Sequence, residues 1–159
     1  MTLKVDVDGV LRNLAHRVFG RPACTWKNLD CEGNTLIQAV NKNPRLCLDA
    51  QPTQYLAVIL NHHKHRRMHI LTSQPETWRG YTEHWLDIYV GDYDVIYTND
   101  SDEKLQYLEP GDFLIDDSPC FKRFDQIIMP DYPYNRKVDP LYRVYNPGEL
   151  AYVLRRFNL

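Results

Sequence analysis

Asp6 and Asp8 stand two residues apart at the end of the first apolar run, Leu3 to Val7, and Asp116-Asp117 forms a second acidic pair far along the chain. Carboxylates held out of water repel one another and lose hydration, so two such pairs facing one crevice call for a cation. Oxygen-only ligands favour magnesium, which keeps several waters and takes one or two carboxylates together with a phosphate. Other residues suit that phosphate. Ser73-Gln74-Pro75-Glu76 has capping-box form, so free N–H groups at a helix start would face an anion, and Thr72 before it offers a hydroxyl. Lys104 falls in the first turn of a helix expected from Ser101, where a cation opposes the helix dipole and a nearby anion would rationalise it.

Magnitude ties these parts together. A carboxylate ~4 Å from a phosphate charge is repelled by roughly 4 kcal/mol at an effective dielectric of ~20. Magnesium and Lys104 would offset that repulsion and neutralise the equatorial oxygens. Asp6 could then attack phosphorus to form an aspartyl phosphate, with Asp8 donating a proton to the leaving alkoxide and later taking one from water. Plainer readings stand beside this one. Asp117 or Ser118 could cap a helix with Pro119 near its start, Ser73 and Glu76 could be a cap alone, and Lys104 could be a solvated surface lysine. Asp6 with Asp8 resists such a reading, because acids are rarely buried unpaired.

The elements that must position these groups follow from periodicity. Leu3 to Val7 reads as a buried first strand. Pro52 opens a helix with Tyr55, Leu56, Ile59, Leu60 and His63 on one face, and Ser73 to about Val90 is a helix with Trp78, Tyr81, Trp85 and Ile88 along one side. Strands are expected at Met68 to Leu71, Asp94 to Tyr97, Phe113 to Ile115, Ile127 to Met129 and Leu141 to Tyr145. Short helical pieces are expected at Ser101 to Leu108 and Ser118 to Phe124, and a closing helix at Pro147 to Phe157. Alternation of this kind implies an α/β fold, a Rossmann-like parallel sheet with helices on both faces. Residues 14–50, rich in Gly, Pro and Cys, read as a small cap inserted after the first strand, leaving 1–13 and 51–159 as the core. The acids, Thr72-Ser73 and the Asn99-to-Lys104 turn then all fall at the carboxyl ends of strands, where open α/β sheets bind ligands.

The pattern resembles the haloacid dehalogenase (HAD) superfamily. Asp6-Val7-Asp8-Gly9-Val10-Leu11 is similar to its first motif, Thr72 to its second, Lys104 to its third and Leu114-Ile115-Asp116-Asp117 to its fourth. Within it, Leu71-Thr72-Ser73, Thr98 to Lys104 and Tyr132-Pro133-Tyr134-Asn135 resemble the 5'(3')-deoxyribonucleotidases. The resemblance implies Asp6 as nucleophile, Asp8 as acid/base, and Thr72 and Lys104 as phosphate ligands. It also implies magnesium held by Asp6, the main-chain carbonyl of Asp8 and Asp116, with Asp117 supporting the metal's waters, and a cap that screens substrates. The chain departs from that pattern at Gln74, between Ser73 and Pro75, and at Arg12-Asn13, and its cap is short.

The expected function is therefore a magnesium-dependent phosphomonoester hydrolase, with a (deoxy)nucleoside monophosphate as substrate. Ser73 joins the phosphate ligands, and Phe19, Arg21 and Trp26 of the cap are the candidates for touching a nucleobase. Two rivals stay open: a phosphatase of nucleic-acid ends, and a nucleotide-sequestering protein with little turnover. A net charge of −2 argues against nucleic acid as partner. A composition of 43% hydrophobic and 25% charged residues, with no apolar run of the ~18 residues that span a bilayer and no leader pattern, predicts a cytoplasmic chain without membrane contact. A homodimer is left open. Four scattered cysteines are expected as reduced, small apolar residues. The basic run from His62 to Arg67 is expected as a solvated helix end, and Tyr134-Asn135-Arg136 as either site lining or a plain turn.

Overall fold

The computed structural model describes residues 2–21, 27–64, 66–121 and 124–159. Its centre is a six-stranded, all-parallel sheet. The strands are β1 (Leu3–Val5), β2 (Met68–Ser73), β3 (Tyr93–Thr98), β4 (Phe113–Ile115), β5 (Ile127–Pro130) and β6 (Tyr142–Val144). They lie in the order β3-β2-β1-β4-β5-β6. The chain builds outward from β1 through β2 to β3, then crosses to β4 on the other flank. The β1/β4 boundary is thus the topological switch point, where the carboxyl ends of the strands open a crevice.

Among the described residues, six α-helices accompany the sheet: α1 (Leu14–Phe19), α2 (Leu36–Lys42), α3 (Leu46–Asp49), α4 (Leu56–His62), α5 (Glu76–Tyr89) and α6 (Pro147–Arg156). The main core joins Val5, Val7, Ile70, Ile115 and Ile128 of the sheet region to Tyr55, Ile59, Trp85, Leu150 and Leu154 of the helices. Helices α1 to α3 come from residues 14–50. They enclose a smaller core of Leu14, Val40, Cys47 and Ala50 with Trp78 of α5. The inserted segment is therefore fastened to the helix that follows β2.

Several boundaries differ from expectation for identifiable reasons. α4 begins at Leu56 rather than Pro52, because residues 51–53 first pair with the chain after β1: Asn13 N–H donates to Gln51 O (2.8 Å) and Thr53 N–H to Leu11 O (2.8 Å). β2 runs on through Ser73, in register with Thr98, so α5 starts at Glu76 and its cap residue is Pro75. The buried side of α5 is Trp78, Thr82, Trp85 and Leu86, while Tyr81 and Ile88 are exposed. Of the stretch expected as a helical turn from Ser118 to Phe124, Pro119 and Cys120 form a turn and residues 122 and 123 lie outside the described ones; the stretch expected as a helix from Ser101 is a 3-10 turn, Glu103–Tyr107. Cys47 is buried, but Cys31 and Cys120 are exposed rather than packed, and Cys24 lies outside the described residues. No described helix is long and apolar enough to cross a membrane.

Candidate active site at the switch point

Asp6 follows β1 directly, and its N–H donates to Ile115 O (2.9 Å), which fastens it beside the end of β4. Asp116 follows β4, and its N–H donates to Ile128 O (3.1 Å) of β5. Two neighbouring parallel strands thus deliver their first loop residues to one point. Oxygens of Asp6, Asp116 and Asp117 all lie within 4.8 Å of one another, and all three residues are buried. Asp117, expected to stand behind the metal's waters, is inside this cluster, whereas the side chain of Asp8 is not part of it.

Lys104 supplies the local positive charge. The 3-10 turn carries it inward until only 1% of the residue is exposed. Its Nζ donates to Asp116 Oδ2 at 2.6 Å and lies 3.1 Å from Asp6 Oδ1. The second approach is an ion pair without hydrogen-bond geometry, so among the described residues the buried Asp6 Oδ1 accepts no hydrogen bond. Asp116 Oδ1 accepts from Ser118 N–H (2.8 Å), which gives Ser118 a task other than capping a helix.

The electrostatics follow from crowding. Burial pushes the Asp6 carboxyl up to about 7; Lys104 opposes the rise, and Asp116 and Asp8 add to it. Burial likewise raises Asp117 well above the usual carboxylate range, helped by the charges of Asp116 and Asp6. Burial alone would lower Lys104, but Asp116 and Asp6 outweigh it and hold the ammonium above its ordinary value. One lysine does not satisfy three buried acids. An orphaned oxygen within an all-carboxylate cluster fits a hard divalent cation such as magnesium.

The phosphate side is partly as expected. Thr72 is buried at the end of β2. Ser73 does not cap α5: its hydroxyl shares a 2.7 Å hydrogen bond with that of Thr98, across the register of β2 and β3. Beyond it opens a cleft of about 730 Å³, bordered by Ser73, Gln74, Arg79, Thr98 and Asn99, with Ile37 of α2 on its rim. Phe19, half-buried at the end of α1, and exposed Arg21 do not border that cleft, and Trp26 lies outside the described residues. Among the described residues of 14–50, Ile37 borders the cleft, and a lone exposed isoleucine gave no sequence signal.

Two further groups emerge. The turn after β5 enters the site: the Tyr134 hydroxyl donates to Asp117 Oδ2, Asn135 Nδ2 donates to Asp117 O (2.9 Å), and the Tyr132 hydroxyl donates to Gly9 O (2.7 Å). Gly9 has φ +81°, and a Cβ there would stand 2.0 Å from Asp117 Oδ2, so both backbone and space require glycine. Arg12 is the second. It is wholly buried and grips both oxygens of Asp8, with Nε to Oδ1 at 2.8 Å and Nη2 to Oδ2 at 3.1 Å. A charged residue four positions after Asp8 was the available signal, but nothing local to it foretold burial.

The basic run sits at the opposite edge of the sheet. There His62, His63, Arg66, Arg67 and His69 border a small hollow with Thr2 and Leu3, and His63 Nδ1 contacts Ile59 O (3.0 Å). Arg67 pairs with Asp92 and Asp94; His65 lies outside the described residues.

No protein-family model matches the chain, and no curated protein matches it at a significant level.

Proposed function

We propose that this chain is a magnesium-dependent phosphomonoester hydrolase of the HAD type, acting on nucleoside monophosphates through an aspartyl-phosphate intermediate. The observation that carries this reading is the buried Oδ1 of Asp6, which accepts no hydrogen bond among the described residues, lies 3.1 Å from the Lys104 ammonium and is grouped with Asp116 and Asp117 at the switch point. An unbonded carboxylate oxygen keeps its lone pairs for a reaction.

Asp6, the main-chain carbonyl of Asp8 and Asp116 would hold the ion, with Asp117 beside them. Bound there, magnesium supplies the positive charge that lets a phosphate dianion approach the acids. An Asp6 oxygen attacks phosphorus, the bond from phosphorus to the ester oxygen breaks, and its electron pair leaves with that oxygen, which takes a proton from Asp8. Water then attacks phosphorus and gives a proton to Asp8; the Asp6–phosphorus bond breaks, releasing phosphate and restoring both acids. Lys104 keeps Asp6 and Asp116 oriented and balances charge on the phosphoryl oxygens. Thr72 offers its hydroxyl to the same oxygens, and the cleft beyond Ser73 would seat the nucleoside.

The test is phosphate release from a panel of nucleoside and sugar monophosphates, with magnesium or with chelator, beside Asp6→Asn. Metal-dependent release that vanishes in the variant supports the reading. Equal release by both proteins rejects Asp6 as nucleophile.

A further inference from the structure

Asp8 does not hang free in the crevice. Besides the paired bonds from Arg12, its Oδ2 accepts from Gln74 Nε2 at 2.5 Å. Gln74 is fixed in turn, its Oε1 accepting from the Thr82 hydroxyl at 2.8 Å. That hydroxyl accepts from Arg12 Nη1 at 3.1 Å, and Nη1 also donates to Cys47 O at 3.1 Å. The result is a closed ring, Asp8–Arg12–Thr82–Gln74–Asp8, built from the β1 loop, α5 and the end of β2, and anchored to α3 of the inserted segment. Arg12, Thr82 and Gln74 are all buried, and the Asp8 side chain is 23% exposed.

Lone pairs can be counted around this carboxylate. Each oxygen has two acceptor sites. Oδ2 receives two donors and is filled; Oδ1 receives one, from Arg12 Nε, and keeps one site. The two oxygens have therefore been made unequal by their neighbours. A bidentate guanidinium also fixes the plane of the group, which a single ammonium would not do.

We infer that Arg12 and Gln74 are positioning residues that make Oδ1 of Asp8 the working oxygen of the site, the one that meets the leaving-group oxygen and then the attacking water. This rests on the phosphatase reading above. Gln74 also borders the 730 Å³ cleft, so the amide that fills Oδ2 stands beside the seat proposed for the leaving group. A substituent placed there is presented to a carboxylate whose orientation is already set.

The test compares Gln74→Leu and Arg12→Met with wild type on two esters, p-nitrophenyl phosphate and thymidine 5'-monophosphate. A nitrophenolate departs without help, whereas an alkoxide needs the proton. Each variant is expected to lose about tenfold more kcat on the thymidine ester than on the nitrophenyl ester, a part of the ~10²–10⁴ that a placed acid contributes, with KM little changed. Equal losses on both esters, or a change confined to KM, overturn the assignment. A thermal cycle examines the ring without turnover. Asp8→Ala strands a buried guanidinium, so the double variant Asp8→Ala/Arg12→Met is expected to melt no lower than Asp8→Ala alone. Losses that simply add would overturn the ring. Should wild type release no phosphate from either ester, the phosphatase reading falls, the assignment of a working oxygen falls with it, and the cycle still decides whether the ring exists.

Discussion

Replacing Asp6 by asparagine should stabilise the metal-free protein at neutral pH while abolishing its proposed chemistry. In the unfolded chain this carboxyl ionises near its ordinary 3.8; in the folded chain burial moves it to about 7. Between those values the folded state keeps a proton that the unfolded state has released. Stability therefore falls as pH rises from about 4 to about 7, and is flat above. One pH unit of separation is worth ~1.4 kcal/mol, so the full effect is about 4 kcal/mol, and local relaxation would reduce it toward about 2. At pH 4 wild type and Asp6→Asn carry the same charge at this position and should unfold alike. At pH 7.5 in chelator the variant should melt several degrees higher, up to about 10 °C for a domain of this length.

Urea or thermal unfolding at several pH values, with chelator and again with magnesium, reads this directly. Part of the slope should survive in the variant, because Asp117 is raised in the same direction. Magnesium should then stabilise wild type and leave Asp6→Asn nearly unmoved, since only a protein that binds the ion gains from it. A variant that melts below wild type at pH 7.5 without metal, or a gap unchanged between pH 4 and 7.5, would refute the reasoning. Asp6 would then be an ordinary structural partner of Lys104.

Lys104→Met removes a cation shared by Asp6 and Asp116, so stability measured by urea titration should drop by about 3–5 kcal/mol. Gly9→Ala drives a methyl into Asp117 and should weaken magnesium-dependent stabilisation by about tenfold or more. Gly91→Ala is its control: that residue has φ +90° but nothing within 4 Å, so only a backbone cost of about 1–2 kcal/mol should appear. Magnesium binding at pH 6.5 should release about one proton per site, because the carboxylates must ionise to bind; calorimetry in two buffers of different ionisation enthalpy would show it.

What the sequence revealed was whatever depended on strand ends. Asp6, Thr72 and Asp116 stand at the carboxyl ends of apolar runs, and a parallel sheet brings such positions together whatever the details of packing. Lys104 was legible for a different reason, its misfit with a helix dipole, although the helix is a 3-10 turn. The rest depended on partners remote in the chain. Arg12 meets Thr82 and Cys47, 70 and 35 residues away, and its charge argued for exposure until Asp8 was seen to neutralise it. On α5 the apolar pattern pointed to Tyr81 and Ile88, yet Thr82 is the buried residue, because its hydroxyl closes the ring with Gln74. Ser73 carried a capping signature that was overridden because its strand runs two residues past Leu71 and meets Thr98.

Among the described residues, two cations divide the four acids of the site unequally. Arg12 places its two charge-paired bonds on Asp8 and directs its Nη1 to Thr82 and Cys47 O. Lys104 is shared between Asp6 and Asp116, whereas the Asp117 carboxylate accepts from the Tyr134 hydroxyl. Among the described residues, and with every acid ionised, four negative charges face two positive ones, and the unbalanced pair falls on the cluster of Asp6, Asp116 and Asp117 rather than on Asp8. Two uncompensated charges in a buried oxygen cluster match one divalent ion; a monovalent ion would leave one behind. The same division separates the two jobs that the chemistry needs. Asp8, the proposed proton carrier, is held by a guanidinium that does not titrate, while Asp6, the proposed nucleophile, keeps one oxygen that accepts no hydrogen bond among the described residues.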